Sequence, residues 1–268
     1  MTAGESAVPR PEGPLRTSAG ILRLPKNAID PIEDGAAASE RTGRFAVADG
    51  ASAGRDVHLW ARALVHAYIR RPPPVQPTGT ELRDWFHAVA QQWSATAPEA
   101  VGPSWLDDGP GAVTTAYATF LGLQLVRRPD GRTGWDAVAV GDCCLVRLGA
   151  DAEITTFPLT GPEQFTDTPH LVPGSPAMID GALRTGLRYL AGPLTAGDTL
   201  FLATDAVARW LLTLARDDPA GLRQVARTPR DELRAHLATQ RGSGAVEKDD
   251  LTLLTLRVRA APAGPSPA

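Results

Sequence analysis

At several separate points in this sequence a run of apolar, β-favouring residues stops against a carboxylate. Phe45-Ala-Val-Ala48 stops at Asp49-Gly50, and Trp135–Val140 gives way to Gly141-Asp142 before a second run at Leu145–Leu148. Thr199–Ala203 ends at Thr204-Asp205, and the last run, Leu251–Val258, starts directly after Lys248-Asp249-Asp250. Residues of these types suit a pleated, buried surface, so each run predicts a strand with an acidic end. Ala112–Val126, rich in Thr, Val, Tyr and Phe, predicts one more strand, long enough to be central. The glycine beside Asp49 allows a positive φ and a close approach of backbone to a ligand.

Helical periodicity falls between these runs. Val57, Trp60, Ala61, Leu64, Val65 and Tyr68 share one face of a helix predicted over Val57–Arg70, which Pro72-Pro73-Pro74 stops. Leu82, Trp85, Phe86, Val89 and Trp93 give a second helix over Thr80–Ala97, and three more are predicted over Ala206–Arg216, Gly221–Ala226 and Arg230–Gln240. Pro158–Leu183, broken by Gly161, Pro162, Pro169, Pro173 and Gly174, predicts a long loop or flap. The helices are grouped rather than alternating one by one with strands. That pattern predicts an α+β layered fold instead of a doubly wound sheet. With 268 residues, 43% of them hydrophobic, the chain can bury one substantial core. Residues 17–259 are expected to form it, flanked by disordered tails at 1–16 and 260–268 that are poor in periodic apolar residues.

Charge and composition exclude several classes. A net charge of -3 gives no global basic field for nucleic acid or an anionic membrane. No segment has the roughly 18 consecutive apolar residues of a membrane span, and Thr2-Ala3-Gly4-Glu5 is not a basic-then-apolar leader, so the expectation is a cytoplasmic chain. The two cysteines, Cys143 and Cys144, are adjacent and fit neither a disulfide framework nor a zinc site. His58, His66, His87, His170 and His236 form no chelating pair, and no Gly-x-Ser-x-Gly elbow is present. The acidic strand ends remain. Should neighbouring strands bring Asp49, Asp142, Asp205 and Asp249 to one edge, with Glu33-Asp34 added, several like charges would converge. Hard divalent cations resolve that repulsion, and carboxylates without His or Cys suit Mg²⁺ or Mn²⁺.

Phe45-Ala-Val-Ala-Asp-Gly50, Ala139-Val-Gly-Asp142, Asp198-Thr-Leu-Phe-Leu-Ala-Thr-Asp205 and Asp249-Asp-Leu-Thr-Leu-Leu-Thr-Leu256 resemble, in order and character, the motifs of the metal-dependent protein phosphatases of type 2C, the PPM-type serine/threonine phosphatases. The resemblance runs from about Glu33 to Val258. It implies a four-layer α-β-β-α sandwich of two antiparallel sheets flanked by helices, with a binuclear metal site at one edge. By the same resemblance Asp49 would bridge two Mn²⁺ or Mg²⁺ ions and the Gly50 carbonyl would ligate one of them. Asp205 and Asp249 would complete the other, and Glu33 and Asp34 would bind directly or through water. Asp142, with Asp205, would hold a third, weaker ion. Asp34 and Asp49 are the implied catalytic residues, and the implied substrate is a phosphorylated protein, cleaved at phosphoserine or phosphothreonine by metal-activated water. The family's arginine ahead of the Glu-Asp pair has no counterpart in Asn27-Ala28-Ile29-Asp30-Pro31-Ile32; Arg23 and Lys26 are the nearest bases. A second reading therefore stands beside the enzyme: a pseudophosphatase that keeps the sandwich and binds a partner without turnover. Oligomeric state is not legible in the residues.

Overall fold

The computed structural model describes residues 15–51, 56–96 and 115–261, and in it the apolar runs become the inner strands of two five-stranded antiparallel sheets. In chain order the elements are β1 (Leu15–Leu24), β2 (Gly35–Ser39), β3 (Arg44–Ala48), α1 (Val57–Arg70), α2 (Gly79–Thr96), β4 (Tyr117–Ala118), β5 (Phe120–Arg127), β6 (Thr133–Val140), β7 (Cys144–Leu148), β8 (Ile154–Phe157), β9 (Val172–Pro173), α3 (Ile179–Gly186), β10 (Leu187–Pro193), β11 (Thr199–Ala203), α4 (Asp205–Asp217), α5 (Pro219–Arg227), α6 (Arg230–Ser243) and β12 (Leu251–Ala260). One sheet has the order β1-β12-β11-β7-β8 and the other β10-β6-β5-β3-β2, with β4 and β9 forming a small two-stranded pair.

Side-chain alternation along the strands makes the layers. Phe45 and Val47 of β3 face an inter-sheet core with Leu121, Leu123, Trp135, Leu200, Leu202 and Leu254. Ala46 and Ala48, on the opposite face of the same strand, pack under Trp60, Leu64 and Tyr68 of α1 and Phe86 of α2. The other sheet repeats the arrangement, with Phe201, Val146 and Leu253 turned outward against Val207 and Leu211 of α4 and Leu222 of α5. Successive strand residues point to opposite faces and both faces are covered, which is why the runs are predominantly apolar instead of alternating. The adjacent cysteines divide in the same way: Cys143 joins the inter-sheet core and Cys144 the core beneath α4. The result is the α-β-β-α sandwich.

Four differences from the sequence expectations have physical causes. The strand expected over Ala112–Val126 is broken at Thr119, whose amide donates to the Asp49 carbonyl at 2.8 Å; β4 then pairs with β9 and β5 with β3 and β6, while residues 112–114 lie outside the described set. The supposed flap over Pro158–Leu183 holds two short 3-10 turns, Pro162–Gln164 and Pro176–Met178, and the start of α3. α3 has only 8 residues, too few for a periodic signal, although it buries Ile179, Leu183 and Gly186 on one face. The helix expected over Arg230–Gln240 runs on to Ser243, and Gly244 closes it at φ 80°, a left-handed conformation that glycine adopts freely. Finally, β1 and β12 pair from Leu15↔Ala260 onward, so the sheet takes in Leu15, Arg16 and Ala260; residues 1–14, 97 and 262–268 lie outside the described set. No helix among the described residues is long and apolar enough to cross a membrane.

Candidate metal centre

Every acidic strand end named above comes from the same edge of the sandwich. Asp34 precedes β2, Asp49 follows β3, Asp142 lies between β6 and β7, Asp205 opens α4 after β11, and Asp249 precedes β12. Antiparallel pairing turns these junctions to one side: Gly50 bridges to Ala118, and the Ala51 amide donates to the Tyr117 carbonyl at 3.0 Å. Gly50 sits in a tight space. A Cβ there would stand 3.0 Å from the carbonyl oxygens of Glu33 and Val57, so a side chain would force that backbone to give way. Gly141, beside Asp142, has φ +94°, and a Cβ on it would meet the His170 carbonyl oxygen at 2.6 Å.

The electrostatics show which carboxylates meet. Asp34, 1% exposed, accepts a hydrogen bond from the Thr204 hydroxyl at 3.0 Å, yet burial lifts its pKa to about 7, with the charges of Asp205 and Asp250 adding to the rise. The neighbouring Thr252 and Thr204 hydroxyls pull the other way. Asp49 is held well above the ordinary carboxylate range by burial first and then by the charges of Asp34, Asp205 and Asp142. Burial and Asp205 raise Asp142 to about 7. Its Oδ1 is buried with no hydrogen-bond partner among the described residues. Asp205 rises to about 6, through burial and the charges of Asp249 and Glu247, despite accepting the Ala206 amide at 2.6 Å. Asp34, Asp49, Asp142 and Asp205 therefore form one interacting set of like charges.

The two remaining residues sit at its rim. The Asp249 side chain is 47% exposed and accepts the Asp250 amide at 2.8 Å. Glu33 takes the Lys26 ammonium on Oε2 at 2.7 Å, and the same Nζ lies 4.0 Å from Asp249 Oδ1. At the other side Arg209, one turn along α4 from Asp205, pairs with Glu247 and lies 5.1 Å above the Phe165 ring; its charge draws Asp142 and Asp205 downward.

These residues suit a hard cation in kind. All are oxygen donors, the inner ones repel one another, and the orphaned Asp142 Oδ1 is a buried acceptor lacking a donor. As placed, however, no group of three or more His, Cys, Asp or Glu side chains among the described residues closes closely enough to hold a metal ion.

Sequence reading overlooked the groups that hold the carboxylates. Asp250 accepts the Lys26 amide at 2.6 Å on one oxygen and the Glu33 amide at 2.7 Å on the other, so it closes the loop that carries Glu33 and Asp34. Thr204 is the donor to Asp34. Their signal was adjacency, since each stands beside an acidic strand end already singled out.

No family model matches the chain, and no curated protein sequence matches it. Solved structures do. A bacterial serine phosphatase superposes with a TM-score of 0.61 at 11% identity, over 92% of this chain and 100% of that one. The catalytic domain of the serine/threonine protein phosphatase PstP, in complex with two manganese ions, gives 0.57 at 16% identity over 92% and 100%. The PPM Ser-Thr phosphatase MsPP from Mycobacterium smegmatis, in complex with cacodylate, gives 0.56 at 17% identity over 90% and 97%. The likeness at such identities is one of architecture, and it agrees with the sheet order and layers described above: the chain has the fold of the PPM-type serine/threonine phosphatases.

Proposed function

We propose that this chain is a metal-dependent phosphoprotein phosphatase that hydrolyses phosphoserine and phosphothreonine with Mn²⁺ or Mg²⁺. The observation that carries the proposal is the convergence of Asp34, Asp49, Asp142 and Asp205, from four separate strand junctions, into one set of buried, mutually repelling carboxylates. Clustered like charge is costly to a fold and is retained where a cation is to be held. Asp34, Asp49, Asp205 and the Gly50 carbonyl would hold two ions, with Glu33 and Asp249 at the rim and Asp142 facing a third, weaker ion. Bound divalent ions supply acidified water and neutralise the charge of a phosphoryl group.

The chain's own residues do the rest. Thr204 fixes Asp34 by its hydroxyl, and in the metal-free chain burial and the charges of Asp205 and Asp250 lift the Asp34 pKa to about 7. The Asp49 carbonyl accepts the Thr119 amide, which fixes the backbone between Asp49 and Gly50. No cysteine competes as nucleophile: Cys143 is fully buried and burial pushes its thiol well up. Water attack on the phosphoester returns the free hydroxyl and inorganic phosphate. The same reading keeps the chain in the cytoplasm, with no nucleic-acid or membrane partner.

Two observations favour the partner-binding pseudophosphatase instead: Glu33 is engaged by Lys26, and among the described residues the acids do not close around a common point. Release of phosphate from p-nitrophenyl phosphate and from phosphoserine or phosphothreonine peptides, with Mn²⁺ and then with excess chelator, separates the two. The enzyme reading expects metal-dependent release that Asp49→Asn abolishes; no release by folded, Mn²⁺-supplemented protein overturns it.

A further inference from the structure

The loop between β1 and β2 is built tightly around one lysine. Asp250 grips its two ends through the amides of Lys26 and Glu33, at 2.6 and 2.7 Å. Between them Asn27 Oδ1 accepts the amides of Ile29 and Asp30 at 2.8 and 2.9 Å, and Asn27 Nδ2 donates to Asp30 Oδ2 at 2.8 Å. Arg241 adds a clamp from α6, donating to the carbonyls of Pro25 and Asp249 at 2.8 and 3.1 Å. Lys26 is thus no loose surface lysine. Its side chain is 25% exposed, and its ammonium is delivered to Glu33 Oε2 at 2.7 Å and to within 4.0 Å of Asp249.

Those two carboxylates are the ones at the rim of the acidic set. We propose that the Lys26 ammonium is a tethered competitor for the divalent cation at the Glu33–Asp249 end of the site, so that this end takes metal only by displacing it. The inference rests on the metal-dependent reading above and deepens it. A dication drawn to Glu33 and Asp249 would lie within a few ångströms of that ammonium and be repelled by it, and the carboxylate charge it meets is already partly neutralised. Among the described residues no ion pair reaches the inner carboxylates Asp34, Asp49, Asp142 and Asp205; the charges of Arg23 and Arg209 act on them only from a distance, so an ion there displaces no bonded cation. Metal binding divides into a tight inner class and a weak outer class, and Lys26 sets the gap between them.

Calorimetric titration of Mn²⁺ into the wild type, Lys26→Met and Lys26→Arg tests this, with thermal melts in chelator to establish that each variant is folded. The methionine keeps a flexible stem and removes the charge. The expected result is an outer class tightened by about tenfold in Lys26→Met, the scale of one partly exposed ion pair together with relief of cation repulsion. The inner class is unchanged, and Lys26→Arg keeps the outer class weak. Two classes of site that Lys26→Met leaves unchanged or weakens would overturn the competitor role while sparing the phosphatase reading. If Lys26→Met fails to fold, an outer class that Lys26→Arg releases would likewise overturn it. Absence of Mn²⁺ binding by the wild type would overturn both.

Discussion

Replacing Asp142 by Asn should stabilise the metal-free protein more at alkaline than at acidic pH. Asp142 is 7% exposed, its Oδ1 has no partner among the described residues, and burial with the Asp205 charge lifts its pKa from an ordinary 3.8 to about 7. The folded state therefore holds a proton that the unfolded chain releases. Stability associated with this group is complete below the unfolded pKa and is lost as pH rises toward 7. At 1.36 kcal/mol for each pH unit between the two values, the loss is about 1.5 kcal/mol at pH 5 and about 4 kcal/mol at pH 8. Asparagine has no charge to desolvate. It retains a buried polar group, at a pH-independent cost of about 1–3 kcal/mol, so the pH dependence of the difference is the informative quantity. Between pH 5 and 8 the variant should gain about 2.5 kcal/mol on the parent, or roughly 5–10 °C in Tm. Thermal melts of both proteins in chelator, across that range, measure it. With Mn²⁺ the parent recovers and the advantage shrinks, because a bound cation stabilises only the state that holds it. A Tm difference that is flat with pH in chelator would refute the idea that Asp142 is an uncompensated member of a carboxylate set.

Three further outcomes follow from the site and its frame. Asp49→Asn should lower Mn²⁺ affinity by at least tenfold in calorimetry, whereas an unchanged affinity would remove Asp49 from the ligand set. Gly50→Ala drives a Cβ to 3.0 Å from two carbonyl oxygens and should cost about 1–3 kcal/mol in urea unfolding, with phosphatase activity falling further than stability does. Arg147→Met should cost about 3–5 kcal/mol, because it strips the 2.9 Å Nε contact from Asp198, whose carboxylate is fully buried. Asp198 accepts the Ala150 amide on Oδ1 and the Thr195 amide on Oδ2, at 3.0 Å each, so Asp198→Asn, which turns one acceptor into a donor, should cost a similar amount, with activity per folded molecule unchanged in both.

The strands that sequence reading found and those it missed differ by position in the sheet. β3, β5, β6, β7, β11 and β12 are interior strands, covered on both faces and therefore mostly apolar, with a few buried polar residues such as Asp136 and Arg147. The missed strands of the two five-stranded sheets, β1, β2, β8 and β10, are their four edges, and the two-residue β9 lies in the proline-rich stretch. An edge strand is partly solvated and need not be apolar: β2 is Gly-Ala-Ala-Ala-Ser, and β10 ends in Gly192-Pro193. Periodicity detects burial, so it fades where burial does. α3 escaped for a related reason, being barely two turns long behind a proline-rich stretch.

At the site, the local chemistry was legible because each acid stands beside its own strand end and its own glycine or threonine. Sequence alone determined that carboxylates would punctuate the apolar runs, since strand ends, turn glycines and helix starts are set by neighbours a few residues away. Only the tertiary structure decided which of them meet. The contacts of Asp34 with Thr204, and of Asp250 with Lys26 and Glu33, span 170, 224 and 217 residues. Such contacts depend on sheet order and on the facing of one sheet against the other, which no local pattern encodes. The same packing brought four aspartates into mutual repulsion and gave Glu33, an equal candidate on paper, to a lysine.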